Sequence, residues 1–440
     1  MGKVGVGIVG LGTVGGGTVR LILGHRKQYL DSYGIDIDLV RACSMRPEDA
    51  GELGLAEGVW TADWHDVTSD PDVDIVVEVI GGEHPATEIY EAAFAHGKHV
   101  VTANKALLGR HVETLAHDAA QAGVQLRCEA AAAGGIPIVS TLEHDLIGNQ
   151  ILTIAGIMNG TTNYILSRMT DEGLDFDETL AAAQAAGYAE ADPTADIEGF
   201  DAASKIAILA SIGFRTRVTT DDVYMEGIGS ITAEDIAQAK DLGYVIKLLS
   251  IARVTPAGVD VRVHPTMIPA THQLAAVSGA MNAVYVVGDA VGETMFYGAG
   301  AGSYPTASAI VGDVLALADP IAHGTKPLPE NEPFKRNLPI CPIDDLVTRY
   351  YIRLRIEDRI GTLAPVVEAF GKHDLSISSI NQLGQGEDGA CTVVFLTHDA
   401  RESDVRAAKA DLEALDAVRE VSNIIRIEDI DAWTEGMYAN

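Results

Sequence analysis

The chain has 440 residues, a hydrophobic fraction of 47% and a formal net charge of −32. That length predicts two to three domains, and the charge excludes the phosphate-neutralising surface that nucleic-acid binding needs. No uncharged apolar run of about 18 residues occurs, so no membrane partner is expected. The four cysteines, Cys43, Cys128, Cys341 and Cys391, form no C-x-x-C pair, which fits reduced thiols better than disulfides or zinc.

MGKVGVGIVG enters a strand directly, without a basic n-region or a cleavage site, so a cytoplasmic location is the default. Residues 4–9 read as a buried strand, and GLGTVGGGTVRLIL then turns into a helix. Between them lies Gly10-x-Gly12-x-x-Gly15, with Thr13 and Val14 inside it. The first glycine permits a tight turn, the second lets the backbone approach a pyrophosphate, and the third allows close helix–strand packing. The helix N-terminus adds partial positive charge. This context predicts dinucleotide binding; a glycine-rich turn without a ligand is the alternative. The second strand, within 35–44, ends in Ser44, Met45 and Arg46 rather than in Asp or Glu. A carboxylate there would repel a 2′-phosphate, whereas Arg46 can pair with one. NADP is therefore favoured, with NAD, or Arg46 as a plain surface residue, the alternatives.

Strands at 72–82 and 98–104 alternate with helices, which makes a parallel doubly wound sheet closing near residue 135. Ligands of such sheets sit outside the carboxyl ends of strands, where Thr102, Asn104 and Lys105 fall. Beyond Gln150 the strand LTIAGIMN leads into GTTNYILSRM, with Thr161 or Thr162 as the expected helix cap. The acidic stretch GYAEADPTADIEGFDAASK follows, in which Asp201 and Lys205 stand one turn apart on a helix. On these residues alone they are an acid–amine pair able to serve a small polar substrate, or a solvated ion pair. Residues 292–318 read as a glycine-rich loop and then a helix starting near Pro305 and Thr306. Six prolines, at 320, 327, 329, 333, 339 and 342, predict an extended linker. Strand and helix signals then follow in βαββαβ order, a ferredoxin-like module, with a loose tail after Asp431.

Five motifs, GLGTVGGG, VTANK, GIMNGTTNYIL, GYAEADPTADIEGFDAASK and GAGAGSYPTASA, together resemble homoserine dehydrogenases over residues 1–320. The terminal module resembles an ACT domain, with EDRIGTLAPV at the turn where such domains hold an amino acid. No aspartate-kinase segment is expected ahead of them. The resemblance implies an α/β chain in five parts. A Rossmann-type nucleotide domain spans 1–135 and an α+β catalytic and dimerisation domain 136–319, whose last helix packs back on the nucleotide domain. A linker covers 320–347, an ACT domain 348–428 and a tail 429–440.

The same resemblance implies reversible NAD(P)H-dependent reduction of L-aspartate 4-semialdehyde to L-homoserine. Lys205 is implied as proton donor, with Lys105 beside the reacting centre and cofactor. Asp201 and Glu190 are implied to hold the substrate, with Asp196 as a further substrate-binding residue of that loop. Gly187 and Gly302 would line the cofactor side. A sodium ion is implied at Glu129 and the main chain of Ala132, Gly134 and Ile136. The resemblance also implies threonine as an effector of the ACT domain and a homodimer or homotetramer. Lys105 and Lys205 are expected to converge from separate domains. Two rivals stay open: another NAD(P)-dependent dehydrogenase of a small molecule, and a non-catalytic amino-acid sensor.

Overall fold

A computed structural model describes residues 2–327, 334–385 and 389–434. The chain forms two compact units, and it returns to each after leaving it. One comprises Met1–Ile154, Asp201–Val223 and Met281–Leu338; the other comprises Ala155–Phe200, Tyr224–Ala280 and Pro339–Asn440. Units built from separated segments are hidden from a reading that expects domains to follow one another along the sequence.

The first unit holds a parallel sheet of β1 (Lys3–Val9), β2 (Asp36–Cys43), β3 (Trp60–Thr61), β4 (Ile75–Glu78), β5 (His99–Thr102) and β6 (Leu126–Arg127). Their order is β3-β2-β1-β4-β5-β6, so the winding reverses between β1 and β4. Helices Thr13–Tyr33, Ala86–Ala95 and Lys105–Ala122 make the crossovers. Val4, Val6 and Ile8 of β1 pack with Ile37 of β2, Val77 of β4 and Ile310, Val314 and Leu317 of helix Ser303–Ala322. Full burial of such a side chain stabilises by about 1.5–3 kcal/mol. Helix Ser303–Ala322 is apolar and long enough to cross a membrane by composition alone, yet these residues sit in a protein core.

Two expectations change in this unit. The helix runs through Pro320, so the linker does not begin there. A proline so near the helix C-terminus breaks only one interior bond. Residues Gly292–Ala299 are a strand rather than a loop, paired antiparallel with Met281–Gly288 from Met281↔Ala299 to Gly288↔Gly292. Glycines at 292 and 298 gave the run a turn signature, but the residues between them alternate in burial as a strand does.

In the second unit, strand Tyr244–Thr255 pairs antiparallel with Gly258–Pro269. The terminal stretch runs strand Val347–Glu357, helix Leu363–Lys372, strands Ile377–Gln385 and Ala390–Thr397, helix Glu402–Glu413 and strand Val418–Ile427. Within it, Val347–Glu357 lies between Val418–Ile427 and Ala390–Thr397, and the latter also pairs with Ile377–Gln385. Tyr350, Leu354, Phe370, Phe395 and Leu412 form its core. This module is not a separate bead: Val418–Ile427 continues the sheet by parallel pairing with Gly258–Pro269 at Thr266↔Arg426 and Met267↔Ile427.

The segment read as a linker is bonded where it is described: Arg336 bridges to Thr216 and Ile340 to Val259. Pro329 and Pro333 lie outside the described residues. The tail is also shorter than expected. Ile430–Thr434 form a 3-10 turn, and buried Trp433 donates from Nε1 to Glu428 Oε2 at 2.9 Å. Residues 435–440 lie outside the described residues.

Lys247 carries a pH signature. Its ammonium is buried, donating to the Val277 carbonyl at 2.6 Å and Asn163 Oδ1 at 3.1 Å. Burial lowers its pKa from 10.5 to about 8. The unfolded chain therefore binds more protons between those values, and stability should rise with pH across that window by about 3 kcal/mol. Between pH 8 and 10 the urea midpoint of the wild type should rise relative to that of Lys247→Met; the same pH dependence in both would remove this assignment.

Candidate active site

Asn104, directly after β5, caps helix Lys105–Ala122: its Oδ1 accepts the Leu107 N–H at 3.2 Å. Its own N–H donates to Thr102 Oγ1 at 2.9 Å. Lys105 is thereby fixed as the first helical residue at the carboxyl end of a parallel strand, where such sheets bind ligands. Helix Phe200–Phe214 is buried over most of its surface, and it brings Asp201 and Lys205 to one side.

The three groups meet at the Asp201 carboxylate. Lys205 Nζ donates to Oδ2 at 2.8 Å and Lys105 Nζ to Oδ1 at 2.5 Å. Asp201 and Lys205 are only 8% and 6% exposed, which removes the solvated ion pair as a reading. Lys105 is half exposed, at 45% for its side chain, and so presents its ammonium at the surface of the site. Burial alone would raise the Asp201 pKa, but the charges of Lys205 and Lys105 outweigh it and hold the carboxyl well below the usual carboxylate range. Asp201 is an anion at every working pH. Two ammoniums and one carboxylate sum to +1, arranged where an oxyanion could be met by a proton donor. Lys105 and Lys205, from stretches far apart in the sequence, converge on Asp201, and all three residues fall in one compact unit.

The fingerprint turn lies in the same unit. Gly10 has a φ of +105°, and a Cβ on Gly15 would fall 1.8 Å from the Gly10 carbonyl oxygen, so only glycine lets the helix start here. Nothing lies within 4 Å of a Cβ placed on Gly12, leaving open space above the glycine that a pyrophosphate would approach. Thr13 and Val14 open the helix, and Ser303 Oγ donates to the Thr13 carbonyl at 2.7 Å. That bond ties Gly302, the residue before Ser303, to the fingerprint.

A family model described as homoserine dehydrogenase matches residues 137–315, and one described as homoserine dehydrogenase, NAD binding domain, matches residues 10–129. The chain is 48% identical over 399 residues to the homoserine dehydrogenase of Synechocystis sp., covering 88% of this chain and 92% of that protein. It is 44% identical over 430 residues to that of Corynebacterium glutamicum, with 97% and 96% covered. The crystal structure of a homoserine dehydrogenase from Thiobacillus denitrificans is similar at a TM-score of 0.91 and 45% identity, covering 98% of this chain and 99% of that one. The chain belongs to the homoserine dehydrogenase family. Its activity is that of an NAD(P)-dependent oxidoreductase acting on a CH–OH group.

The remaining expected residues lie elsewhere in the two units. Arg46 is exposed and pairs with Glu48 at 3.1 Å and with Asp49 and Glu52 at 3.4 Å. Buried Glu129 accepts three main-chain N–H groups, from Ile138 and Val139 on Oε1 and Ser140 on Oε2, at 2.7–2.8 Å. Ala132, Gly134 and Ile136 are buried in the adjoining turn. Gly187, Glu190 and Asp196 lie in the second unit. Gly187 has a φ of +78° just after helix Phe176–Ala185. Glu190 is exposed. Half-buried Asp196 accepts from Asn159 Nδ2 at 2.7 Å and Thr161 Oγ1 at 2.8 Å, so it fastens its own loop to the start of helix Gly160–Glu172. The cap of that helix is Asn159, whose side chain accepts from Thr162 N–H at 2.9 Å, not Thr161 or Thr162. Sequence reasoning also missed Glu78, the one charged residue of β4.

Proposed function

We propose that the chain reduces L-aspartate 4-semialdehyde reversibly to L-homoserine, with Lys205 as the proton donor. The observation that carries this is the buried Asp201 carboxylate bridging Lys105 and Lys205 at the carboxyl end of β5. When bound, the nicotinamide supplies the hydride. Lys205 is pinned by Asp201 and gives a proton to the oxygen that becomes the alcohol. Lys105, the more exposed ammonium, lowers the energy of negative charge on that oxygen. Glu190 is the proposed partner of the substrate ammonium. Asp196 holds the substrate loop in shape through Asn159 and Thr161, and each of its oxygens keeps a further lone pair for the substrate.

Gly10, Gly12, Thr13, Val14 and Gly15, with Thr102, Lys105, Gly187 and Gly302, form the cofactor assignment, and Arg46 favours NADP over NAD. Arg46 is exposed, and so are its partners Glu48 and Glu52 while Asp49 is buried, so solvent screens the two exposed pairs and a 2′-phosphate would have to compete with these carboxylates for the guanidinium. For sodium, a carboxylate has about four lone-pair sites, and Glu129 uses three of them. The site left on Oε2, together with the carbonyls of Ala132, Gly134 and Ile136, suits a hard monovalent cation. The terminal βαββαβ module is read as an ACT domain with threonine as effector. Strand Gly292–Ala299 ends its sheet and exposes Met295 and Tyr297, which supports a homodimer or homotetramer using that edge. A cytoplasmic location accords with this biosynthetic role.

One steady-state assay tests these assignments. Aspartate semialdehyde should drive NADPH oxidation faster than NADH oxidation, and threonine should slow it. Arg46→Ala should raise the KM for NADPH about tenfold and leave that for NADH unchanged, as expected for one charge-assisted hydrogen bond. No turnover with this aldehyde would sink the leading reading; an equal change for both cofactors would remove Arg46 from it.

A further inference from the structure

Glu78 ends β4 at the switch point, aligned with Val9 of β1 on one side and Thr102 of β5 on the other. It is 0% exposed. Among the described residues no lysine or arginine pairs with it, and its carboxylate is held by donors alone. Oε1 accepts the main-chain N–H groups of Ile80 and Gly81 at 2.8 and 3.3 Å. Oε2 accepts from Tyr90 OH at 2.7 Å, Thr102 Oγ1 at 3.1 Å and Asn104 Nδ2 at 3.3 Å. Asn104 Nδ2 also donates to the Gly82 carbonyl at 2.7 Å. One carboxylate thus ties the 80–82 turn beside Gly10 to the cap of the helix that begins with Lys105.

We propose that Glu78 is a positioning residue for Lys105, acting through Asn104. The inference rests on the role proposed for Lys105. The same donors say what the isosteric amide would do. In Glu78→Gln the two fixed main-chain N–H groups need an oxygen at the Oε1 position, so the amide NH2 must take the Oε2 position. The hydroxyls of Tyr90 and Thr102 can turn to accept from it. Asn104 Nδ2 cannot, because it only donates, and flipping that amide would give up the Leu107 cap. The lesion therefore falls on Asn104, next to Lys105.

Glu78→Gln should lower kcat about tenfold, with the KM for aspartate semialdehyde within about twofold of wild type. In an Asn104→Ala background it should lower kcat less than twofold further, because the connection is already cut. A merely structural role would reduce activity by the same factor in both backgrounds, and that result overturns the proposal, as would a wild-type kcat in Glu78→Gln. If Glu78→Gln does not fold, Asn104→Ala alone should give the kcat loss with the KM for aspartate semialdehyde within about twofold of wild type, and wild-type turnover there is the overturning result. Lys105→Ala, run in the same assay, separates the failures: full turnover in it removes the Lys105 reading itself, whereas loss of turnover there with a normal Glu78→Gln removes only this inference.

Discussion

Lys205→Ala is expected to lower kcat by about three orders of magnitude, the middle of the range for losing a positioned general acid, while NADPH binding stays near wild type. The ammonium it removes is buried and bonded to Asp201, so its loss also takes one of two lysine partners from that carboxylate. Lys205→Arg separates charge from proton transfer. The guanidinium keeps a positive charge for Asp201 but cannot lose a proton, so this variant should bind NADPH and remain nearly inactive. Turnover by Lys205→Arg within tenfold of wild type would overturn the proton-donor role and leave Lys205 an electrostatic one. The pH profile adds an independent check. Because the two lysines hold Asp201 well below the usual carboxylate range, its folded-state pKa lies under the unfolded value of about 3.9. Its contribution to stability is present above that value and is lost only as pH falls below it. Any limb of the rate profile between pH 5 and 9 must therefore belong to another group.

How much of this was legible in the sequence depends on how far apart the interacting residues lie. The fingerprint Gly10-x-Gly12-x-x-Gly15 is local: strand, turn and helix are contiguous, and the steric demand at Gly15 is met within five residues of Gly10. Asp201 and Lys205 are four apart, so helical periodicity alone puts them on one side. Their burial and their junction with Lys105 are not local properties, and the same spacing on a surface helix would be a weak ion pair. Glu78 was passed over because a carboxylate at the end of an apolar strand looks like a solvated strand end. Only the fold brings Tyr90, Thr102 and Asn104 around it. Gly292–Ala299 and Pro320 were misread for the opposite reason: strong local turn signals were overruled by a partner strand and by helix packing.

The terminal module leads to the second large effect. Arg262→Met is expected to destabilise the chain by about 3–5 kcal/mol, the usual result of stripping one partner from a buried ion pair. Arg262 is 0% exposed. It donates from Nη2 to Glu428 at 2.5 Å, from Nη1 to Asp260 and from Nε to His264 Nε2 at 3.2 Å. Burial alone would raise the Glu428 pKa, but the Arg262 guanidinium and the Trp433 N–H hold it below its ordinary value. Without Arg262 the Glu428 carboxylate stays buried and loses its direct ion pair. Adding Glu428→Gln should recover most of the loss, since a neutral amide can keep the Trp433 bond without a buried charge. Denaturant unfolding followed by tryptophan fluorescence measures all three proteins, and a single variant within about 1 kcal/mol of wild type would refute the expectation. With a folded pKa below the unfolded value of about 4.3, the pair's contribution is present above that pH and lost as pH falls, so the double variant should be less acid-sensitive than the wild type. The same pair explains why removing the module is a poor way to test regulation. Glu428 directly follows strand Val418–Ile427, which is hydrogen-bonded to Gly258–Pro269, so deletion would bare both a strand edge and the Arg262 guanidinium. An effector response is better sought in the full chain, where strand Val418–Ile427 keeps its pairing with Gly258–Pro269.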